Sequence, residues 1–200
     1  MTRDEIINRV KVEMDELTPF DGGLIVSAGN EMSKPIDAYI EEILDDCAED
    51  LILMAPIHLL SLKSFSGTIS VAGGVASITI PSDFLALGYI KFPEWERQVN
   101  TTIKETDPLY LRQMNQYTRA GISKPVVAIR SGKLECYSIT SEDGTGIDFK
   151  YKAKVVAEQL PDRLMMALVY LTAAKMFKIF ERGDLIAPTM ELFQNEINIR

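Results

Sequence analysis

The apolar residues of this chain repeat at two different intervals, and the change between them constrains the fold most. In residues 1–62 and 160–182, large apolar side chains recur every three or four positions, as in helices buried along one stripe. In residues 66–156, apolar and polar residues alternate in short runs separated by glycine-containing turns, as in antiparallel strands. The sequence therefore predicts an α+β fold. N-terminal helices and a long C-terminal helix pack as a bundle, and an antiparallel β subdomain is inserted between them.

Residues 75–92 are predicted to form a corner where sheet and helices meet. A strand ends at Pro81, because proline has no backbone N–H to donate to a sheet. A short helical turn is then predicted over 84–87. Gly88 is expected to break this turn before a second extended run begins.

The helix boundaries carry their own signals. Thr2-Arg-Asp-Glu5 forms a capping box at the first helix, and the second helix is predicted to open near Pro35, after a loop over 20–34. A short helix near 107–118 is predicted from Asp107 as N-cap and Pro108 as first residue, with Tyr110, Leu111, Met114 and Tyr117 sharing one face. The helix at 160–182 is apolar nearly all round, which predicts burial on every side. Residues 184–200 are predicted to form an extended tail with a short helical pattern at Met190, Phe193 and Ile197.

Two hairpins are predicted in the β subdomain. Their turns are Gly73-Gly74 and Ser131-Gly132, each between alternating runs. Residues Ile147–Lys154 show the clearest alternation in the chain. Their apolar residues predict a buried face, and the intervening Asp and Lys residues predict a face in water.

The charge of the chain is unevenly distributed. The net charge is −8, and residues 1–50 hold fourteen Asp or Glu against four Lys or Arg. A general basic grip on DNA is excluded, because affinity for phosphate comes from clustered cations. The outer face of the second helix includes Glu41, Glu42, Asp45 and Asp46. It is either a solvated face or a functional acidic face, and both interpretations stay open.

No catalytic signature is present. His58 is the single histidine, and the CxxC, HExxH, P-loop and GxSxG motifs are absent, so we predict neither an enzyme nor a cofactor. Carboxylates spaced four apart on one helix do not make a metal site without ligands from facing helices. Cys47 and Cys136 are predicted to be free buried thiols. Trp95 either anchors an interface or closes the core.

The chain carries no sign of membrane targeting. Its start is acidic without an apolar signal region, and the longest uncharged helical run, Leu164–Ala174, falls well short of the roughly 20 residues that span a bilayer. We therefore expect a soluble protein, made in a cytoplasm, with no membrane partner.

Two segments carry a family resemblance. They are Ile80-Pro-Ser-Asp-Phe-Leu-Ala-Leu87 after a hairpin, and Leu160-Pro-Asp-Arg-Leu-Met-Met-Ala-Leu168 opening a late helix. With the order of elements, they resemble the head-to-tail adaptor proteins of short-tailed bacteriophages, the group that includes tail tubular protein A. The chain looks most similar to the ring proteins beneath the portal in crAss-like phages.

The resemblance implies a structural virion protein that assembles in the host bacterial cytoplasm and resides in the neck or tail. It implies a dodecameric ring that docks under the portal, contacts neighbouring tail or ring proteins and extends the channel for double-stranded DNA, without sequence-specific binding. Asp184–Arg200 would be the portal-docking arm. Its apolar contacts would be Leu185, Ile186, Met190, Phe193 and Ile197.

Two further hypotheses complete the functional prediction. Acidic residues on a channel wall repel phosphate, so Glu41, Glu42, Asp45 and Asp46 are candidates to line the DNA channel. The alternative function is a cytoplasmic, non-enzymatic adaptor or scaffold that binds one protein partner and makes no ring.

Overall fold

The computed structural model describes residues 1–17, 35–140 and 145–198. The chain divides into two compact units. We call residues 1–61 and 155–200 the helical unit and residues 62–154 the β unit. The α+β class is confirmed. The loop predicted over 20–34 lies outside the described residues.

The helical unit contains four α-helices and three short 3-10 helices in its described part. The α-helices are α1 (Arg3–Leu17), α2 (Ile36–Met54), α4 (Met165–Ile179) and α5 (Gly183–Ile197). The 3-10 helices are Ile57–Leu59, Ala157–Gln159 and Asp162–Leu164.

The β unit contains eight strands and one helix in its described part. The strands are β1 (Lys63–Ser64), β2 (Ile69–Ala72), β3 (Val75–Thr79), β4 (Phe84–Lys91), β5 (Ile103–Lys104), β6 (Val127–Arg130), β7 (Lys133–Tyr137) and β8 (Asp148–Ala153). The helix, α3, spans Pro108–Met114.

The capping box at the start of α1 is confirmed. The Thr2 N–H donates to Glu5 Oε2 over 2.7 Å, and the Glu5 N–H donates to Thr2 Oγ1 over 3.3 Å. The predicted apolar stripe follows, with Ile6, Val10 and Met14 fully buried. The reciprocal bonds fix where the helix begins, and the apolar stripe determines which of its faces is buried.

Helix α4 is the core of the helical unit, as its apolar sequence predicted. It is shorter than the predicted 160–182, because Asp162–Leu164 form a 3-10 helix before it and the chain leaves the helix after Ile179. Ten of its fifteen residues are buried, and α1, α2 and α5 all pack on it. Leu168 and Phe177 are examples of its fully buried side chains. A helix surrounded in this way needs no polar face.

The β unit is built from two sheets. The smaller sheet has the strand order β1-β8-β4, with antiparallel pairing throughout. The larger has the order β2-β3-β7-β6-β5 and contains both predicted hairpins. Its last pair, β5 with β6, is parallel, so the sheet is mixed rather than wholly antiparallel.

Strand β8 confirms the predicted buried face and, except at Lys152, the predicted wet face, on which Asp148 and Lys154 are exposed. Phe149 and Tyr151 are buried on the apolar side. On the other side Lys152 is also buried, and this burial lowers the pKa of its ammonium group. Alternation along one strand shows which face is apolar, but a central strand can be covered on both faces.

The helical turn predicted over 84–87 is wrong. Residues 84–91 form the continuous strand β4, paired with β8 and interrupted only by register shifts. The one tight turn lies just before it, where the Phe84 N–H donates to the Pro81 carbonyl. Gly88 does not break the strand. A Cβ there would lie 2.8 Å from the Lys150 carbonyl oxygen, so glycine permits close pairing with β8.

The prediction that the C-terminal segment is extended is also wrong, because Gly183–Ile197 form helix α5, and the short helical pattern at Met190, Phe193 and Ile197 is part of it. Gly183 and Pro188 weaken the helical signal, and proline inside a helix removes one hydrogen bond. However, α5 packs along α4 and buries a stripe of its own side chains. Most helical stability in proteins comes from such packing rather than from propensity.

Candidate interaction surfaces

Helix α5 divides the predicted docking residues into two groups. Leu185, Phe193 and Ile197 are buried within the chain, and Phe193 has no exposed surface. Ile186 and Met190 are half-buried at the edge of this stripe. The first three therefore hold α5 to the helical unit, and the other two are accessible to a partner.

The connection between α4 and α5 is tight. Glu181 takes a positive φ of 58°, which reverses the chain direction after α4. Arg182 then donates two hydrogen bonds to the Asp184 carboxylate, each over 3.1 Å. Within α5, the buried Thr189 hydroxyl donates to the Leu185 carbonyl over 2.6 Å. These contacts place α5 as a fixed helix rather than a free arm.

The acidic face of α2 is partly neutralised by Arg3. The Arg3 guanidinium donates to Asp45 over 3.1 Å and to Glu41 over 3.2 Å. It also reaches Glu158 over 3.4 Å, which ties α1 to the start of the C-terminal helices. Glu41 and Asp45 thus have a structural role within the helical unit.

The other two acidic residues, Glu42 and Asp46, lie exposed on α2. The Asp46 carboxylate makes no ion pair within the described residues. The structure therefore divides the predicted acidic set by its contact with Arg3, which is observed for Glu41 and Asp45.

The environment of Asp45 predicts a pH effect. Burial opposes ionisation, but the hydrogen bonds from Arg3 and from the Ala157 N–H outweigh it and lower the pKa of Asp45. A lowered folded-state pKa adds stability above the unfolded value of about 3.9, and this stability is lost as pH falls through the folded value. Between about pH 5 and 3 we expect the urea midpoint of the helix signal to fall more steeply in wild type than in Asp45→Asn.

Asp46→Asn is the matched control for this measurement, because Asp46 lies on the same helix without an ion pair among the described residues. It should keep the wild-type pH slope. Equal slopes for Asp45→Asn and wild type would show that the Arg3 contact does not stabilise the protein.

Two exposed apolar surfaces were not predicted from the sequence. The first, which we call the α3 surface, is the set of exposed apolar residues within and just after α3, namely Leu109, Leu111, Met114, Tyr117 and Ile122. Leu111 is 72% exposed and Tyr117 88% exposed. The second, the α2 surface, consists of Leu53, Met54 and Ile57 where α2 ends. Contiguous exposed apolar side chains are typical of interaction sites, so these two segments are candidates.

The predicted shared apolar face of α3 is therefore wrong. Of its four residues only Tyr110 is buried, and Leu111, Met114 and Tyr117 point to solvent. The helix also ends at Met114, earlier than predicted. The inner side of α3 is held by the buried residues Tyr110 and Gln113. Because glutamine is polar, the sequence shows no apolar periodicity that would identify this side as the buried one.

Trp95 belongs to the core rather than to an interface. It is 2% exposed, its ring centroid lies 4.9 Å from that of Phe92, and its Nε1 donates to the Ser138 carbonyl over 3.3 Å. Cys47 and Cys136 are buried and free, as predicted.

These features describe an α+β protein whose accessible apolar side chains lie on surfaces suited to other proteins. Consistent with this, the chain matches the sequence model of the SU10 adaptor protein family over residues 1–200. It belongs to that family and is a bacteriophage adaptor, a structural class rather than an enzyme family. No curated protein matches the chain in sequence.

Family membership has two direct consequences. It implies association with other proteins of the phage neck, and it indicates a place in the neck or tail of the virion. Among the residues that the structure describes, no helix combines the length and apolar character needed to cross a bilayer.

Proposed function

We propose that this protein is a head-to-tail connector. Copies of the chain form a ring, a dodecamer, that docks under the portal and extends the DNA channel toward the tail. The observation that carries the proposal is the adaptor-family match over the whole chain. The two exposed apolar surfaces support it, because a closed ring needs two different contact faces on each subunit.

Portal docking is proposed for helix α5. The half-buried Ile186 and Met190 offer the apolar contact, and the exposed ends of α5 offer polar contact around it. Leu185, Phe193 and Ile197 support this surface from beneath, since they are buried against the chain itself. The docking element is then a rigid helix, which loses little conformational entropy on binding.

The channel wall is proposed to include the acidic face of α2. Asp46 contributes most, because it is exposed and makes no ion pair among the described residues, and the exposed Glu42 lies beside it. Glu41 and Asp45 contribute less, because the Arg3 charge lies within 3.3 Å of both carboxylates. A wall with this charge repels the DNA backbone and keeps it moving through the ring.

The proposal is tested by complementing a phage that lacks this gene. Without complementation we expect DNA-filled heads with no tails, and the wild-type gene should restore tailed, infectious particles. Ile186→Asp with Met190→Asp should leave heads tailless. Glu42→Gln with Asp46→Asn should restore tailed particles that eject DNA more slowly.

Three results would count against parts of this proposal. Normal tailed particles without the gene would exclude the connector function and favour a cytoplasmic scaffold. Tailed particles from the double aspartate variant would remove α5 from the portal contact. Ejection at the wild-type rate from the neutralised variant would remove the α2 acids from the channel.

A further inference from the structure

The α3 surface is held in a fixed position although its apolar side chains lie in water. Tyr110 is buried and its hydroxyl donates to Glu135 over 3.3 Å. Gln113 is buried too, and its Oε1 accepts from the Ala120 N–H over 3.0 Å. Arg119 donates to the Gln113 carbonyl over 3.0 Å and to the Gly73 carbonyl over 2.9 Å. The surface is therefore preorganised for contact.

The α3 surface has exposed cations at its border, beside one exposed acidic residue, Glu96, whose backbone N–H donates to the Ile122 carbonyl over 3.2 Å. Arg112 lies exposed within α3, and Lys124 lies exposed just beyond Ile122. Neither side chain makes an ion pair with any other residue that the structure describes. The β unit as a whole holds twelve Lys or Arg against nine Asp or Glu. Such a surface fits a partner that is apolar with acidic residues beside it.

The α2 surface has this complementary character. Met54 and Ile57 are 45% and 39% exposed, and they follow the acidic residues Asp46, Glu49 and Asp50 along the last turns of α2. Asp50 is paired with Lys175 over 2.6 Å, so the exposed Asp46 contributes most of the acidic charge beside this surface. Residues 46, 50 and 54 are four positions apart and share one side of the helix. The helical unit holds twenty Asp or Glu against nine Lys or Arg.

We propose that the α3 surface of one copy of this chain packs on the α2 surface of the next copy. The occupant of each surface is thus a second copy. The argument for it is that both surfaces expose large apolar side chains and that the units carrying them have opposite net charge. A contact between two different surfaces of the same chain repeats from copy to copy, which closes a ring when the rotation allows. This inference rests on the proposed ring and identifies the subunit contact within it.

Two variants test the contact, each altering one surface. One carries Leu111→Glu with Tyr117→Glu, and the other carries Met54→Glu with Ile57→Glu. Because all four positions are exposed, both variants should keep the wild-type circular dichroism spectrum and urea midpoint. Each variant alone should be a monomer of 22.4 kDa by native mass spectrometry, measured under conditions where the wild-type protein forms rings. If the wild-type protein needs portal to form rings, portal is added to the variants as well.

Mixing the two variants gives the sharpest readout. Each retains the surface that the other has lost, so an equimolar mixture should form a 1:1 dimer, twice the 22.4 kDa of one chain, and nothing larger. Val12→Glu with Ile179→Glu changes two side chains of similar exposure, at 43% and 45%, outside both surfaces. This control should still form rings.

The outcomes separate this contact from the ring itself. If wild type forms rings and either surface variant does so too, the proposed contact is wrong and the ring stands. If each variant alone is monomeric and the equimolar mixture of the two variants is monomeric as well, the α3 surface and the α2 surface do not contact each other. If the Leu111 variant forms rings but fails to bind another neck protein, the α3 surface serves that protein instead. If wild type forms no ring with or without portal, the proposed function and this contact both fail.

Discussion

Replacing Phe193 with alanine is expected to lower the free energy of unfolding of the helical unit by about 3–5 kcal/mol. Phe193 is fully buried at the centre of the α5 stripe, so its removal loses apolar burial and leaves a cavity beneath the helix. A change of this size is a large fraction of the stability of a typical domain. Urea unfolding followed by circular dichroism at 222 nm measures it, because helix dominates that signal.

Met190→Ala is the matched control, since Met190 lies on the same helix but is only half-buried. Its expected cost is about 1 kcal/mol or less, because less apolar surface is lost. Equal, small effects of both substitutions would contradict the packing of α5. Residues 184–200 would then be a docking arm that folds only on its partner.

Trp95→Ala is expected to destabilise the β unit by a similar amount, about 3–5 kcal/mol. The indole is 2% exposed, contacts the Phe92 ring and donates a hydrogen bond to the Ser138 carbonyl. Its truncation therefore leaves a large cavity and an unpaired carbonyl. Amide hydrogen exchange of strands β3, β4 and β7 reports this loss without the tryptophan signal.

Trp95→Phe keeps an aromatic ring in place and removes the hydrogen bond. Its expected cost is smaller, about 1–2 kcal/mol. Neither variant should change the subunit contact, provided that the protein remains folded under the assay conditions. Wild-type stability of Trp95→Ala, together with weakened assembly, would show that Trp95 is an interface anchor.

Periodicity alone predicted most of the regular structure. The capping box at Thr2, the buried stripe of α1 and the two hairpin turns are local signals, and each follows from a few neighbouring residues. The all-apolar sequence of α4 likewise predicted its central position. These elements need no knowledge of which segments meet in the fold.

The errors arose where a distant segment decides the conformation. Residues after Pro81 have a helix-start pattern, but pairing with β8 makes them a strand. Residues after Gly183 have a weak helical pattern interrupted by Pro188, but packing on α4 makes them a helix. Local propensity is a weak prior when tertiary contacts oppose it.

The candidate site was predicted less well than the fold. Sequence pattern treats every apolar residue of α3 as part of the core, whereas Leu111 and Tyr117 are among the most exposed large apolar side chains described. Similarly, the acidic residues of α2 look alike in sequence, and only the position of Arg3 distinguishes Asp45 from Asp46. Exposure and ion pairing depend on how elements meet, which no spacing rule encodes.

The most direct measurement of the central claim is the mass of the purified protein over a concentration series, with and without the portal protein of the same phage, together with negative-stain images. The connector account predicts rings, alone or on addition of portal, with a mass that is a whole multiple of the 22.4 kDa chain. A protein that stays monomeric at every concentration and does not bind portal would contradict it.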